Sequence, residues 1–207
     1  MWDRTGFGYV GFDSKDPLPN DPLNNAGLSI NNAALYTSTV DVTLNIIAPP
    51  RATGMMISND GGFAGAEVVP IQAAVSWKLV SSGPERLPRV VYLRFLGPTL
   101  AQTYTDDVIL DQSPPTLSRV TGRACRKCVI PQNPTRAKFS SKYQLNLRAK
   151  DTQSGVVRMQ VGPRKEGEWT PYQSKLTITG RRGQRIWLRV EDGAGNPSKW
   201  TSLLLKK

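Results

Sequence analysis

The sequence predicts an all-β chain: two antiparallel β-sandwiches in tandem behind a short N-terminal leader. Three observations predict it. Apolar residues recur at every second position in short runs, as where Ile186, Leu188 and Val190 alternate with Trp187, Arg189 and Glu191, the signature of half-buried strands. No stretch carries a convincing helical period. The runs of the first half also return in the second half in the same order, about a hundred residues later.

Composition agrees. A chain of 207 residues holds two cores of roughly 100 residues each. Hydrophobic content of 39% with 21% charged residues is that of folded domains, and the 18 glycines and 16 prolines are spread along the chain as many short strands joined by turns require. No window approaches the roughly 18 apolar residues of a membrane-spanning helix. The start, MWDRTGFGYVGFDSKD, has acids where a secretory signal has bases, so export is expected to use a signal outside this sequence or another route.

Residues 1–25 form the leader, rich in Asp, Asn, Pro and Gly, with Trp2, Phe7, Tyr9 and Phe12 clustered near its start and room for one strand around Gly6–Phe12. Such a cluster is expected to pack on a neighbour, either the first repeat or another module. Residues 26–112 form the first sandwich. Leu28 and Ile30 precede Val40, Val42, Leu44 and Ile46, which alternate with Asp41, Thr43 and Asn45 to give a strand with one wet face. Met55 and Ile57 follow, then Ser58-Asn59-Asp60-Gly61-Gly62, which reads as a hairpin turn. Val75, Trp77 and Leu79, then Val91, Leu93 and Phe95, then Val108 and Leu110 complete about seven strands. Met55, Trp77, Leu93 and Phe95 are expected in its core.

Pro114-Pro115 makes a short, stiff joint, because two φ angles are fixed and two backbone donors removed. The second sandwich, 113–207, restates the first. VVRMQV at 156–161 falls on ATGMMI at 52–57, EWTPY at 168–172 on EVVPI at 67–71, IWLRV at 186–190 on VYLRF at 91–95, and WT at 200–201 on YT at 104–105. Met159, Leu188 and Val190 are its expected core. Seven short strands at spacings of about 8–12 residues describe a sandwich of immunoglobulin type.

GVVRMQV, EWTPY and IWLRVEDGAGN, with a closing strand, resemble the bacterial immunoglobulin-like modules of secreted and cell-surface proteins. MMISNDGGF, VVPI, WKL, VVYLRF and VILDQSPP in the first copy resemble the same family. The first copy departs at Leu96-Gly97-Pro98-Thr99, where the second has Glu191-Asp192-Gly193-Ala194-Gly195-Asn196. The resemblance implies a non-catalytic structural or adhesive role in an extracellular or cell-surface setting, as part of a surface protein or filament.

The chain has no histidine, which removes Ser-His-Asp and Cys-His nucleophile sites and most zinc enzymes. No enzyme activity and no cofactor is assigned. Cys125 and Cys128 form a CRKC motif with three readings: a local disulfide, free or redox-active thiols beside Arg123, Arg126 and Lys127, or half a zinc site completed by a second chain. In an exported protein the local disulfide is the simplest. Glu191, Asp192 and Asn196 offer oxygens of the kind calcium takes, but residues of these types are also those of an ordinary turn, and no metal is assigned.

Charge is divided unevenly. Residues 1–112 carry 7 Lys/Arg against 11 Asp/Glu, a balance of −4; residues 113–207 carry 20 against 5, a balance of +15. An alternative role follows: an accessory module whose basic half binds an anionic polymer, cell-wall polysaccharide or nucleic acid. With Ile186, Leu188 and Val190 inward, Trp187 and Arg189 point out, and Arg158 points out on the neighbouring strand. These three form a candidate anionic-partner surface, unless the long arginine stems simply cover the tryptophan. A virion or tail decoration protein is a further alternative. Opposite charge on the two halves also favours head-to-tail self-assembly, held by Trp2, Phe7, Tyr9 and Phe12 on the next copy.

Overall fold

A computed structural model describes residues 26–84, 87–98, 102–125 and 141–206. The chain divides into two compact units, Met1–Gln112 and Ser113–Lys207. All regular structure among the described residues is strand. The aromatic leader residues Trp2, Phe7, Tyr9 and Phe12, and also Cys128, lie outside the described residues.

The first unit contains β1 (Gly27–Ile30), β2 (Tyr36–Thr37), β3 (Asp41–Ile47), β4 (Gly54–Ser58), β5 (Ala74–Lys78), β6 (Pro88–Leu96) and β7 (Thr103–Leu110). They make a three-stranded sheet, β1-β3-β5, and a four-stranded sheet, β2-β7-β6-β4. Alternation decides which side chains meet between them. Val42, Leu44 and Ile46 face Met55, Ile57, Val91, Leu93 and Phe95, all buried, while Asp41 and Thr43 stay exposed. The Phe95 and Tyr104 rings meet edge to face with centroids 5.5 Å apart.

The chain changes sheets between β1 and β2 through three successive residues at positive φ, Asn31 (48°), Asn32 (58°) and Ala33 (62°). Asparagine tolerates that region and alanine does so at a cost. Two side-chain bonds to β3 hold the switch: Thr43 N–H donates to Asn31 Oδ1 (2.8 Å) and Asn32 N–H to Asn45 Oδ1 (3.1 Å). Beyond it, β2 lies parallel to β7, with Tyr36 opposite Ile109 and Thr37 opposite Leu110.

Two expectations for this unit need correction. Ser58–Gly62 is no two-residue hairpin turn, because β4 pairs with β6 and the segment after it returns only as a bridge, Met55 to Val69. Asp60 organises a wider turn through Gly62 N–H (3.1 Å), and Phe63, at φ 55°, tucks in with 6% exposure. Trp77 is only half-buried. It sits on edge strand β5, and its Nε1–H needs a polar partner, which it finds in Asn59 Oδ1 at 2.9 Å.

The second unit contains β8 (Thr116–Ala124), β9 (Ser141–Lys150), β10 (Val156–Gly162), β11 (Thr170–Pro171), β12 (Lys175–Gly180), β13 (Arg185–Asp192) and β14 (Thr201–Leu204). Its sheets are β12-β9-β8 and β11-β10-β13-β14. Tyr143, Leu145 and Leu147 pack against Met159, Ile186, Leu188 and Val190. Gly122 lets β8 close onto this core: a Cβ there would lie 2.8 Å from Leu203 Cδ2 and 2.9 Å from Leu145 Cδ2.

The internal repeat extends to register. Met55 pairs with Phe95 and Ile57 with Leu93, as Met159 pairs with Val190 and Val161 with Leu188. The bridge of Met55 to Val69 has its counterpart in Met159 to Thr170. The closing strand is the exception. Leu93 lies opposite Tyr104 but Leu188 opposite Thr201, so Tyr104 corresponds to Thr201, one residue past the Trp200 that the sequence match had paired with it.

Candidate interaction surface

Strand β13 presents Arg185, Trp187 and Arg189 on the outer face of the four-stranded sheet, since Ile186, Leu188 and Val190 occupy the inner one. Pairing with β10 sets Arg158 against Glu191, Gln160 against Arg189 and Gly162 against Trp187 on that outer face. The three residues singled out from sequence therefore share one sheet face, but Trp187 and Arg189 do not stack on each other.

Two stacks are built there. In the first, the Arg189 guanidinium lies over the rings of both Trp169 (4.8 Å) and Trp200 (4.6 Å), and Arg158 lies over Trp169 at 5.4 Å. In the second, Trp187 takes Lys165 Nζ at 4.5 Å and Arg185 at 5.9 Å. Polar groups hold the cations in place. Arg189 Nε–H donates to Gln160 Oε1 at 2.6 Å, Arg185 Nη1 donates to Ser202 Oγ at 2.9 Å, and Arg158 makes an ion pair with the buried carboxylate of Glu191. Gln160, on the same outward face as Arg158, is nonetheless buried, because the 163–169 segment folds over it and its amide donates to Gly167 O.

Cation–ring attraction is worth about 0.5–1 kcal/mol at exposed sites and about 2 when desolvated. All three tryptophans and Arg189 are half-buried here, so the stacks act as a packed layer above the sheet. Arg189 is stacked on two rings and has its Nε–H engaged by Gln160. Arg158 is neutralised by Glu191. Trp187 is covered by Lys165 and Arg185, and not by Arg158 and Arg189, the arginines whose stems the sequence set beside it.

Residues the sequence reading missed are Trp169, matched to Val68 as a repeat position, Trp200, matched to Tyr104, and Lys165. The available signal was Arg185-x-Trp187-x-Arg189 at strand period, which places two cations and an aromatic on one wet face. The first unit has the same device in reduced form. Arg94, at the repeat position of Arg189, lies over Phe63 at 4.4 Å and reaches Thr103 Oγ1 at 3.2 Å.

The other candidates resolve locally. Asp192 Oδ1 accepts from Ala194 N–H (3.0 Å) and Asn196 N–H (2.8 Å), and its Oδ2 accepts from Asn196 Nδ2 (2.9 Å), so Asp192 and Asn196 build the Gly193–Gly195 turn. Cys125 follows directly on β8, donates its N–H to Lys142 O at 2.8 Å, and is disulfide-bonded.

With strand order and site in view, each unit is an antiparallel β-sandwich of immunoglobulin-like type, seven strands in two facing sheets, and the chain holds two of them in tandem. No protein-family model matches it, and no curated protein matches it. Among solved structures it is similar to the fibronectin(III)-like modules of Clostridium thermocellum CbhA, at 9% identity over 86% of this chain and 93% of that one, with a TM-score of 0.46. The human OSCAR ligand-binding domain shows 13% identity over 86% and 97%, with a TM-score of 0.31. A chimeric titin Z1Z2-Z1Z2 tandem shows 12% over 83% and 93%, with a TM-score of 0.24.

Proposed function

We propose that the chain is a non-catalytic structural or adhesive pair of modules in an extracellular or cell-surface assembly. The observation that carries this reading is the parallel pairing of β2 with β7 in the first unit. Strands near the two ends of a module that run side by side in one direction are sheared when the chain is pulled. Their bonds, Ile109 N–H to Leu35 O (3.0 Å) and Asp111 N–H to Thr37 O (2.9 Å), are then stretched together instead of opening one after another. Resistance of this kind supports a part that transmits tension. Among the described residues of the second unit, β8 pairs with the antiparallel β9 and no parallel pair is present, so the weaker resistance to pulling is expected there.

Stretching single chains held by their two ends tests the reading. Two unfolding steps are expected, each lengthening the chain by roughly 25–30 nm for modules of this size, with the second unit yielding at the lower force. Extension without discrete steps, or a first unit that yields first, overturns it. Within this reading the aromatic leader docks on a neighbouring copy, steered by the opposite charge of the two halves over a Debye length of roughly 8 Å at physiological salt.

A further inference from the structure

We propose that the outer face of the β8-β9-β12 sheet is the binding surface of the second module and that its occupant is an acidic polysaccharide. The proposal rests on the adhesive reading above and moves the anionic-partner surface away from Arg158, Trp187 and Arg189, whose cations are engaged with rings and with Glu191.

Register assembles the face. Inward positions of β9 go to Tyr143, Leu145 and Leu147, so Lys142, Gln144, Asn146 and Arg148 point outward. Pairing lays four rows across the sheet: Arg119 with Arg148; Thr121 with Asn146 and Lys175; Arg123 with Gln144 and Thr177; Lys142 with Thr179. Every row holds at least one cation. Successive rows lie roughly 6.7 Å apart, two residues along a strand, so the basic track runs about 20 Å. Arg119, Thr121, Arg123, Gln144, Asn146 and Arg148 line a shallow trough of about 540 Å³.

Nothing on the three strands offsets this charge. The acids of residues 113–207 are Asp151, Glu166, Glu168, Glu191 and Asp192, and none belongs to β8, β9 or β12. Among the described residues no ion pair involves Arg119, Arg123, Lys142, Arg148 or Lys175. Like charges directly opposite across a strand pair are destabilising, and Arg119 stands directly opposite Arg148. A bound anion bridging the two guanidinium forks would relieve that repulsion.

The remaining outward groups identify the class of anion. They are hydroxyls and amides, Thr121, Thr177, Thr179, Gln144 and Asn146, which suit the hydroxyls of sugar units between acidic groups. The outward positions of these strands hold no aromatic ring on which unpaired bases would stack. A three-stranded sheet backed by a second sheet is also too broad for a major groove that admits a helix or a two-stranded ribbon.

The test measures binding of the full chain to heparin, to polygalacturonate and to a short DNA duplex, each across a salt series. Arg119→Ser with Arg148→Ser, and separately Arg123→Ser with Lys175→Ser, are compared with Arg164→Ser plus Lys199→Ser, which removes the same charge elsewhere on the module. Either face pair should weaken binding to an acidic polysaccharide by about tenfold or more and lower the slope of log affinity against log salt by about 2. The control pair should change it less than about twofold. Removing Arg119 and Arg148 should leave the fold no less stable, since it removes repulsion, so lost binding cannot be ascribed to unfolding. Equal losses in the control pair overturn the proposal, as does duplex DNA binding as tightly as the polysaccharides or no polysaccharide binding at physiological salt. None of these outcomes alters the stretching result, so the two readings fail separately.

Discussion

Replacing Arg189 by alanine removes the centre of the Trp169–Arg189–Trp200 stack. The two ring contacts, at 4.8 and 4.6 Å in a half-buried setting, are worth about 1 kcal/mol each. The 2.6 Å bond to Gln160 Oε1 is charge-assisted and contributes about 1.5–3 kcal/mol; its loss leaves a polar atom of a buried residue without that donor. Ordering the arginine side chain costs about 2 kcal/mol in return, so the net loss should be about 2 kcal/mol. Urea unfolding reads it out by tryptophan emission. With Trp2 and Trp77 replaced by phenylalanine, only Trp169, Trp187 and Trp200 of the second unit report. The midpoint should fall by on the order of 1 M. Arg189→Lys separates planarity from charge, because an ammonium group cannot cover two rings as a flat guanidinium does; it should recover about half the loss. A lysine variant as stable as the parent, or an alanine variant within about 0.5 kcal/mol of it, would show that the stack contributes no stability and refute the reasoning.

Leu93→Ala and Leu188→Ala, at 0% and 1% exposure, should each cost about 2–5 kcal/mol by calorimetry of the corresponding unit; a nearly neutral result would place the side chain outside the core. Ala33→Gly should stabilise the first unit by about 1 kcal/mol, because φ of 62° strains alanine and not glycine; destabilisation would mean that the left-handed switch is not held in solution. Deleting residues 1–25 should lower the mass seen by light scattering at low salt. A full-length chain that is already monomeric at every concentration rules out assembly through the leader.

The sandwich cores were legible because burial and strand period coincide. A run such as Val91-Tyr92-Leu93-Arg94-Phe95 has only one pairing register that puts its large apolar side chains inside, and its copy at Ile186–Val190 has the same one. What stayed hidden was set by something other than the period of two. Ala33 at positive φ is invisible in residue type, so the change of sheet after β1 could not be foreseen. Asp60-Gly61 reads as a tight turn, but the chain does not fold straight back there, and Phe63 tucks beneath Arg94. Trp200 resembles Tyr104 in kind, and that likeness drew the repeat match one residue out of register. The longer connection before β14 had already shifted the frame, and Trp200 belongs to the wet face.

Arg94 and Arg189 show how two copies of one module come to differ. Both occupy the same outward position of the same strand, and both lie flat on an aromatic ring. In the first unit a turn brings in Phe63 beneath Arg94, and Arg94 reaches Thr103 for its other partner. In the second, Trp169 and Trp200 arrive from the residues just before β11 and β14, so the cation is layered between indoles. Growth of that layer ties Arg158, Lys165, Arg185 and Arg189 into one face. The +15 balance of residues 113–207 does not depend on those four alone. Arg119, Arg123, Lys142, Arg148 and Lys175 stand on the opposite sheet, whose strands β8, β9 and β12 contain no acid. A basic module that had evolved only for solubility would gain from scattering its charges; setting Arg119 against Arg148 costs stability, and that cost makes sense on a face that meets an anion.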